Sequence, residues 1–253
     1  MEAARLDAAR AVAEYRAAGD WRGLASARQR QAGLARSAGD LAGAEEYLRA
    51  ALSIYIMISD NYSAGRALAG LAELRFVAGD YIGAADLNRQ AVERLPGDTE
   101  ALTGLAYAEW QAGSPADAEV TFSQVLRWAS DTVTALAGRG QVRADLGDYG
   151  AAVDDLDRAL RFPMDRDAEA DARSARALAL AGLGRADEAQ DELHASFQLE
   201  PDRARTRLRA GRIAALSGHR EEARAEVERA LMGRPALSRS EKESASRLLL
   251  RFA

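Results

Sequence analysis

The sharpest charged feature of the chain is the stretch RARTRLRAGR, Arg203 to Arg212. On a helix, Arg205, Arg209 and Arg212 fall at i, i+4 and i+7 and share one face. Planar guanidinium groups arranged this way could hold a carboxylate, a phosphate or an acidic peptide through paired hydrogen bonds. The competing reading is a plain ion-pair network, because Glu221, Glu222 and Glu226 follow in the next helix and would neutralise much of the stripe. A second candidate is the acidic run DRDAEAD, Asp165 to Asp171, whose alternating carboxylates begin like a calcium loop. Ala170 replaces the turn glycine of such a loop and Arg176 stands where its bidentate glutamate belongs, so the run reads as acidic residues favoured by a helix N-terminus. His194 and His219 have no second ligand at metal spacing, and no phosphate loop, nucleophile elbow or metal-binding helix motif is present. The absence of cysteine excludes disulfides and thiolate metal sites. No catalytic residue, cofactor or metal is therefore expected.

The elements that carry these groups are helices. Ala, Leu, Arg and Glu dominate the 253 residues, with 6% aromatics and five prolines, and these are strong helix formers. A net charge of −5 argues against a general nucleic-acid binder, which needs a basic face. The opening MEAARLDAARAVAEYR lacks the uninterrupted apolar core of a signal peptide. The longest apolar run, AALSIYIMIS from Ala50 to Ser59, is about half of the roughly 20 residues a membrane span requires. A cytoplasmic protein without membrane insertion is expected.

One pattern recurs along the chain: AGDLAGAEEYLRAAL from Ala38, AGDYIGAADLNRQAV from Ala78, AGSPADAEVTFSQVL from Ala112, LGDYGAAVDDLDRAL from Leu146, LGRADEAQDELHASF from Leu183 and SGHREEARAEVERAL from Ser217. Its glycines, Gly39, Gly79, Gly113, Gly147, Gly184 and Gly218, are spaced by 40, 34, 34, 37 and 34 residues. Each copy reads as two helices around a tight turn. The glycine supplies the left-handed conformation that ends the first helix, and Asp40, Asp80, Asp148 or Ser114 is suited to cap the second. Small residues follow on one face of the second helix at Ala44, Ala84, Ala118, Ala152, Ala189 and Ala223, and again seven residues later, where they let helices approach closely. Pro96, Pro201 and Pro235 stop that second helix.

On these residues the chain resembles the tetratricopeptide repeat family over about residues 25 to 235. The family pattern has a small residue at position 8, Gly at 15, Ala at 20, a large apolar residue at 24, a small one at 27 and Pro at 32. In the copy that begins at Thr99, Ala106, Gly113, Ala118, Phe122 and Val125 hold the first five of these, and Ser130 stands in place of the proline. The resemblance implies one all-α, right-handed solenoid. Residues 1 to 24 hold an extra N-terminal helix and the start of the next, 25 to 235 six repeats, and 236 to 253 a C-terminal capping helix. Ser240 and Glu243 have capping-box spacing there, and a solenoid needs such a cap for solubility. The inserted IMISDN is expected to lengthen a helix pair, with Asp60 or Asn61 capping the helix that follows. Trp21 and Trp128, at a helix start and a helix end, are expected to be structural.

The resemblance further implies a concave groove lined by fixed positions of each first helix. Residue by residue, these bring Arg66, Glu73, Phe76, Tyr107, Trp110, Gln141, Arg205 and Arg212 to the groove, with Arg209 on the basic stripe beside them. Phe76, Tyr107 and Trp110 would form an aromatic pocket for a partner's side chain. The carboxylate clamp of chaperone-binding members is matched only at Arg205 and Arg209. Ala137, Gln141 and Ala175 depart from it. Arg139 and Arg176 are expected to pair with Asp155 and Glu192. The implied function is a non-catalytic adaptor that binds a peptide or helix of a partner protein. The alternatives are a self-assembling scaffold, a homo-oligomer through groove and terminal helix, and a sensor of a small acidic ligand at the arginine stripe.

Overall fold

The structure is a computed structural model that describes residues 2–252. The described residues form fourteen α-helices, with one isolated bridge between Arg203 and Arg234 as their only extended pairing. The chain divides into two compact units, Met1–Ala108 and Glu109–Ala253. The first holds α1 (Glu2–Ala18), α2 (Trp21–Ser37), α3 (Leu41–Met57), α4 (Asn61–Val77), α5 (Tyr81–Arg94) and most of α6 (Thr99–Ala112). The second holds the end of α6 with α7 (Pro115–Trp128), α8 (Val133–Leu146), α9 (Tyr149–Ala159), α10 (Arg166–Gly182), α11 (Ala186–Leu199), α12 (Ala204–Leu216), α13 (Arg220–Met232) and α14 (Arg239–Leu250). Each unit is built of antiparallel helix pairs.

All six repeat glycines have positive φ, between 77° and 98°, the region a Cβ disfavours. The same turn occurs twice more than the repeat pattern shows, at Gly19 and at Ser59, the latter with φ 57°. Ser59, within the inserted residues, closes the turn between α3 and α4, and these two helices each run to 17 residues where α5 has 14. The longer pair is the expected consequence of the insertion, and Asp60 is its cap.

Aspartate caps recur along the first unit. Asp20, Asp40, Asp60 and Asp80 each accept a hydrogen bond from the backbone N–H three residues on, at 2.8 to 3.1 Å. Three of those N–H groups belong to Gly23, Gly43 and Gly83, and a Cβ on Gly43 would sit 2.3 Å from the Asp40 carboxylate. The glycine lets the carboxylate fold down onto the helix end. Ser114 and Asp148 were suited to the same role but make no side-chain cap bond.

The small residues of the second helices are the packing contacts. Ala44, Ala84, Ala118, Ala152, Ala189 and Ala223 are all buried, as are Ala51, Ala91, Val125, Ala159, Ser196 and Ala230 seven residues on. The terminal cap differs from expectation by two residues: Ser238 and Glu241 form the capping box. Just before this cap, Leu237 is buried in a cluster with Leu208, Val227 and Ala245. Trp21 and Trp128 do sit at helix ends, but they are 48% and 72% exposed and contribute little to the core.

Candidate functional site

In the first unit, the inward faces of α2, α4 and α6 bound a cleft of about 680 Å³, closed from below by α3 and α5. Its floor carries Ala32, Ala69, Ala72, Gly70 and Gly104, with Leu48 and Leu74 between them. Phe76 and Tyr107 also line it, and Phe76 is steadied by an edge-on contact with Tyr81 at 5.1 Å between ring centroids. The rim is charged but internally balanced. Arg36 bonds Glu73 across α2 and α4, and Arg66 bonds Glu100 across α4 and α6 at 2.6 Å. The Glu100 hydrogen bond holds the Arg66 pKa above its ordinary value. Four of the expected groove residues, Arg66, Glu73, Phe76 and Tyr107, therefore meet in one cleft.

The remaining five lie in the second unit, and there the expectation of an open groove is corrected. Gln141, Arg209 and Trp110 are 4%, 1% and 6% exposed. Arg209 donates to the Asp171 carbonyl at 2.8 Å, to Ser174 Oγ at 3.0 Å and to Gln141 Oε1 at 3.2 Å. Its Nε is buried without a partner, and burial lowers its pKa despite the nearby Asp145 and Asp171. Arg205 bonds Glu241 at 2.6 Å and Asp171 at 3.0 Å and lies 5.0 Å from the centre of the Trp110 ring. Arg212 bonds Asp145 at 2.6 Å. The arginine stripe is consumed by acids of α8, α10 and α14. Glu226, which the sequence offered as its counter-ion, pairs with Arg207 and Arg229 instead.

Asp171 is the hub of this network. Arg203 grips it with two parallel bonds of 2.6 and 2.8 Å, and Arg205 adds a third. Burial alone would push its carboxyl pKa up, but the Arg203 bonds and the charges of Arg205 and Arg209 outweigh it and hold the value below the usual carboxylate range. The acidic run thus serves arginine, not calcium. Among the described residues no cluster of His, Asp or Glu could hold a metal ion. The pairs expected for Arg139 and Arg176 are present, to Asp155 at 2.7 Å and Glu192 at 3.0 Å, and each arginine bonds a further group, Ser123 and Asp157 respectively.

The sequence profile described as Tetratricopeptide repeat matches residues 75–139, from the end of α4 into α8. That segment carries the tetratricopeptide repeat pattern. A tetratricopeptide repeat protein from Parabacteroides merdae is similar with a TM-score of 0.63 at 18% identity, over 90% of this chain and 98% of that one. The hetero-tetramer of Cut9 and Hcn1 from the APC/C is similar with a TM-score of 0.66 at 17% identity, over 90% of this chain and 42% of that one. A thermophilic tetratricopeptide protein of Thermus thermophilus is similar with a TM-score of 0.55 at 21% identity, over 74% of this chain and 100% of that one. No curated protein matches the chain in sequence. These likenesses establish the all-α repeat fold, and no described helix is long and apolar enough to cross a membrane.

Among the cleft residues that escaped the sequence reading, three stand out. Gly33 and Arg36 belong to the first repeat, whose first helix was not assigned to the groove. Asn88 comes from α5, a second helix, and reaches the cleft from beneath. Its signal was present in the sequence: it stands at position 24, where the pattern asks for a large apolar residue.

Proposed function

We propose that the chain is a non-catalytic interaction protein that binds a peptide segment of a partner protein in the cleft of its N-terminal unit. The observation that carries this reading is the cleft itself, about 680 Å³ in volume and bounded by three successive first helices. That volume lies within the range of ligand-binding clefts, which are concave, mostly apolar and furnished with few polar groups. Tetratricopeptide repeats in general serve as protein-interaction modules, and the second unit has spent its own inward groups on itself.

Gly33 offers a clean test. A Cβ added there meets nothing within 4 Å, so Gly33→Phe places a ring in the cleft and removes a helix-weakening glycine. Heptapeptides selected from a random phage-displayed library against the full chain should bind wild type and lose at least tenfold in affinity for Gly33→Phe by fluorescence polarisation. The variant should melt no lower than wild type. Peptides that bind both proteins equally well would place the binding site elsewhere.

A further inference from the structure

We propose that the Asn88 side-chain amide is the polar anchor of the N-terminal cleft, hydrogen-bonding the backbone of an extended, uncharged peptide segment of the partner protein. The proposal rests on the reading of the cleft as the binding site.

The equivalent positions of the other repeats are Leu48, Phe122, Leu156, Leu193 and Val227, all buried apolar residues. Asn88 is equally buried, at 5% exposure, yet no described residue makes a hydrogen bond to its side chain. Fully buried amide atoms without partners are rare, and those of Asn88 are not sealed off as Arg209 Nε is, so they keep contact with the open space of the cleft. The fold makes room for this one. A Cβ on Gly104 would lie 3.0 Å from its Nδ2 and 3.2 Å from its Oδ1, so the bare backbone of α6 lets the amide sit at the cleft wall. A core residue placed for stability alone would be apolar, as in the other five repeats.

The chemistry of the vacant bonds selects the occupant. A primary amide presents a donor and an acceptor side by side, the complement of the N–H and C=O of a peptide unit. A bound helix has already spent those groups on itself, whereas an extended segment leaves them free. First helices packed about 8–10 Å apart give three of them a span of roughly 20 Å, the length of about six extended residues. The rim adds no net charge, because Arg36 is neutralised by Glu73 and Arg66 by Glu100. The segment over the floor of Gly70, Ala69 and Leu48 is therefore uncharged.

The test uses the selected heptapeptides and two independent perturbations. Asn88→Leu restores the residue type of the other repeats, and it should weaken the peptides at least tenfold while melting at or above the wild-type temperature. A merely structural asparagine would instead lower the melt and spare binding. N-methylation along the peptide, measured on unaltered protein, should find one central amide whose loss weakens binding as much as Asn88→Leu does. Combining the two changes should cost no more than either alone. If Gly33→Phe blocks the peptides but Asn88→Leu does not, or if no single N-methyl group matters, the anchor is refuted and the cleft reading stands. Enrichment of peptides with charged central residues also refutes the proposed occupant. Peptides indifferent to Gly33→Phe overturn the cleft reading beneath it.

Discussion

Asp171→Ala is expected to lower the thermal midpoint of the chain, followed by circular dichroism, by about 10 °C. Removing one member of a buried ion cluster costs about 3–5 kcal/mol because the remaining charges stay desolvated without compensation, and in a chain of this size each kcal/mol moves the midpoint by about 2–4 °C. Two guanidinium groups, those of Arg203 and Arg205, lose their carboxylate partner, while Arg209 keeps its bond to the backbone carbonyl and loses only a nearby negative charge. The pH dependence has a definite sign. The folded-state pKa of Asp171 is depressed, and so is that of Glu241, where burial is outweighed by the charge and hydrogen bond of Arg205 and by bonds from Ser238. Their contribution is fully present above the unfolded carboxylate values near pH 4 and is lost as pH falls through the depressed folded values. Wild type should therefore lose midpoint steeply below about pH 4, and Asp171→Ala should show a shallower acid limb from a lower start. A variant that melts within 2 °C of wild type at pH 7 would show that the cluster does not hold the second unit together.

Trp110→Ala is expected to be nearly as damaging, by about 3–5 kcal/mol, the usual cost of emptying a buried aromatic site. At 6% exposure, with the Arg205 guanidinium 5.0 Å from its ring centre, Trp110 contributes packing and a partly desolvated cation–π contact. As a groove anchor it would behave in the opposite way, losing partner binding at little cost in stability. Thermal melts and polarisation titrations of the same variant separate the two roles. A melt close to wild type combined with lost peptide binding would return Trp110 to the interface. Tyr107, three residues earlier on the same helix, lines the cleft of the first unit. One turn of α6 thus passes from cleft wall to interior.

That contrast shows where sequence reading succeeds. The turn glycines, the Asp60 cap and the alanine contacts are local consequences of backbone geometry and side-chain size, so each could be read from a few neighbouring residues. The filling of the second unit was not legible in the same way. Arg212 finds Asp145 across 67 residues, and Arg205 finds Glu241 across 36. Proximity along the chain suggested Glu221, Glu222 and Glu226, but stacking brings together helices of different repeats. One warning was available at Arg209. It occupies the place that Gly70, Gly104 and Gly138 hold in three repeats and Ala175 in a fourth, where a Cβ on each glycine would press on Leu48, Asn88 or Phe122 of the preceding helix. A long side chain at such a position has room only by threading between its neighbours. Asn88 is the complementary case, a polar residue at a core position whose oddity was visible but whose surroundings required the fold.

The central claim is that the first unit offers the chain's binding cleft while the second has filled its own. Hydrogen–deuterium exchange of the full chain, with and without a selected heptapeptide, tests it most directly. Protection should rise in the segments around 29–36, 66–76 and 100–107, which line the cleft, and stay unchanged around 141–145 and 203–212. Protection that appears in α8 and α12, with α2 and α4 unaffected, would contradict the account.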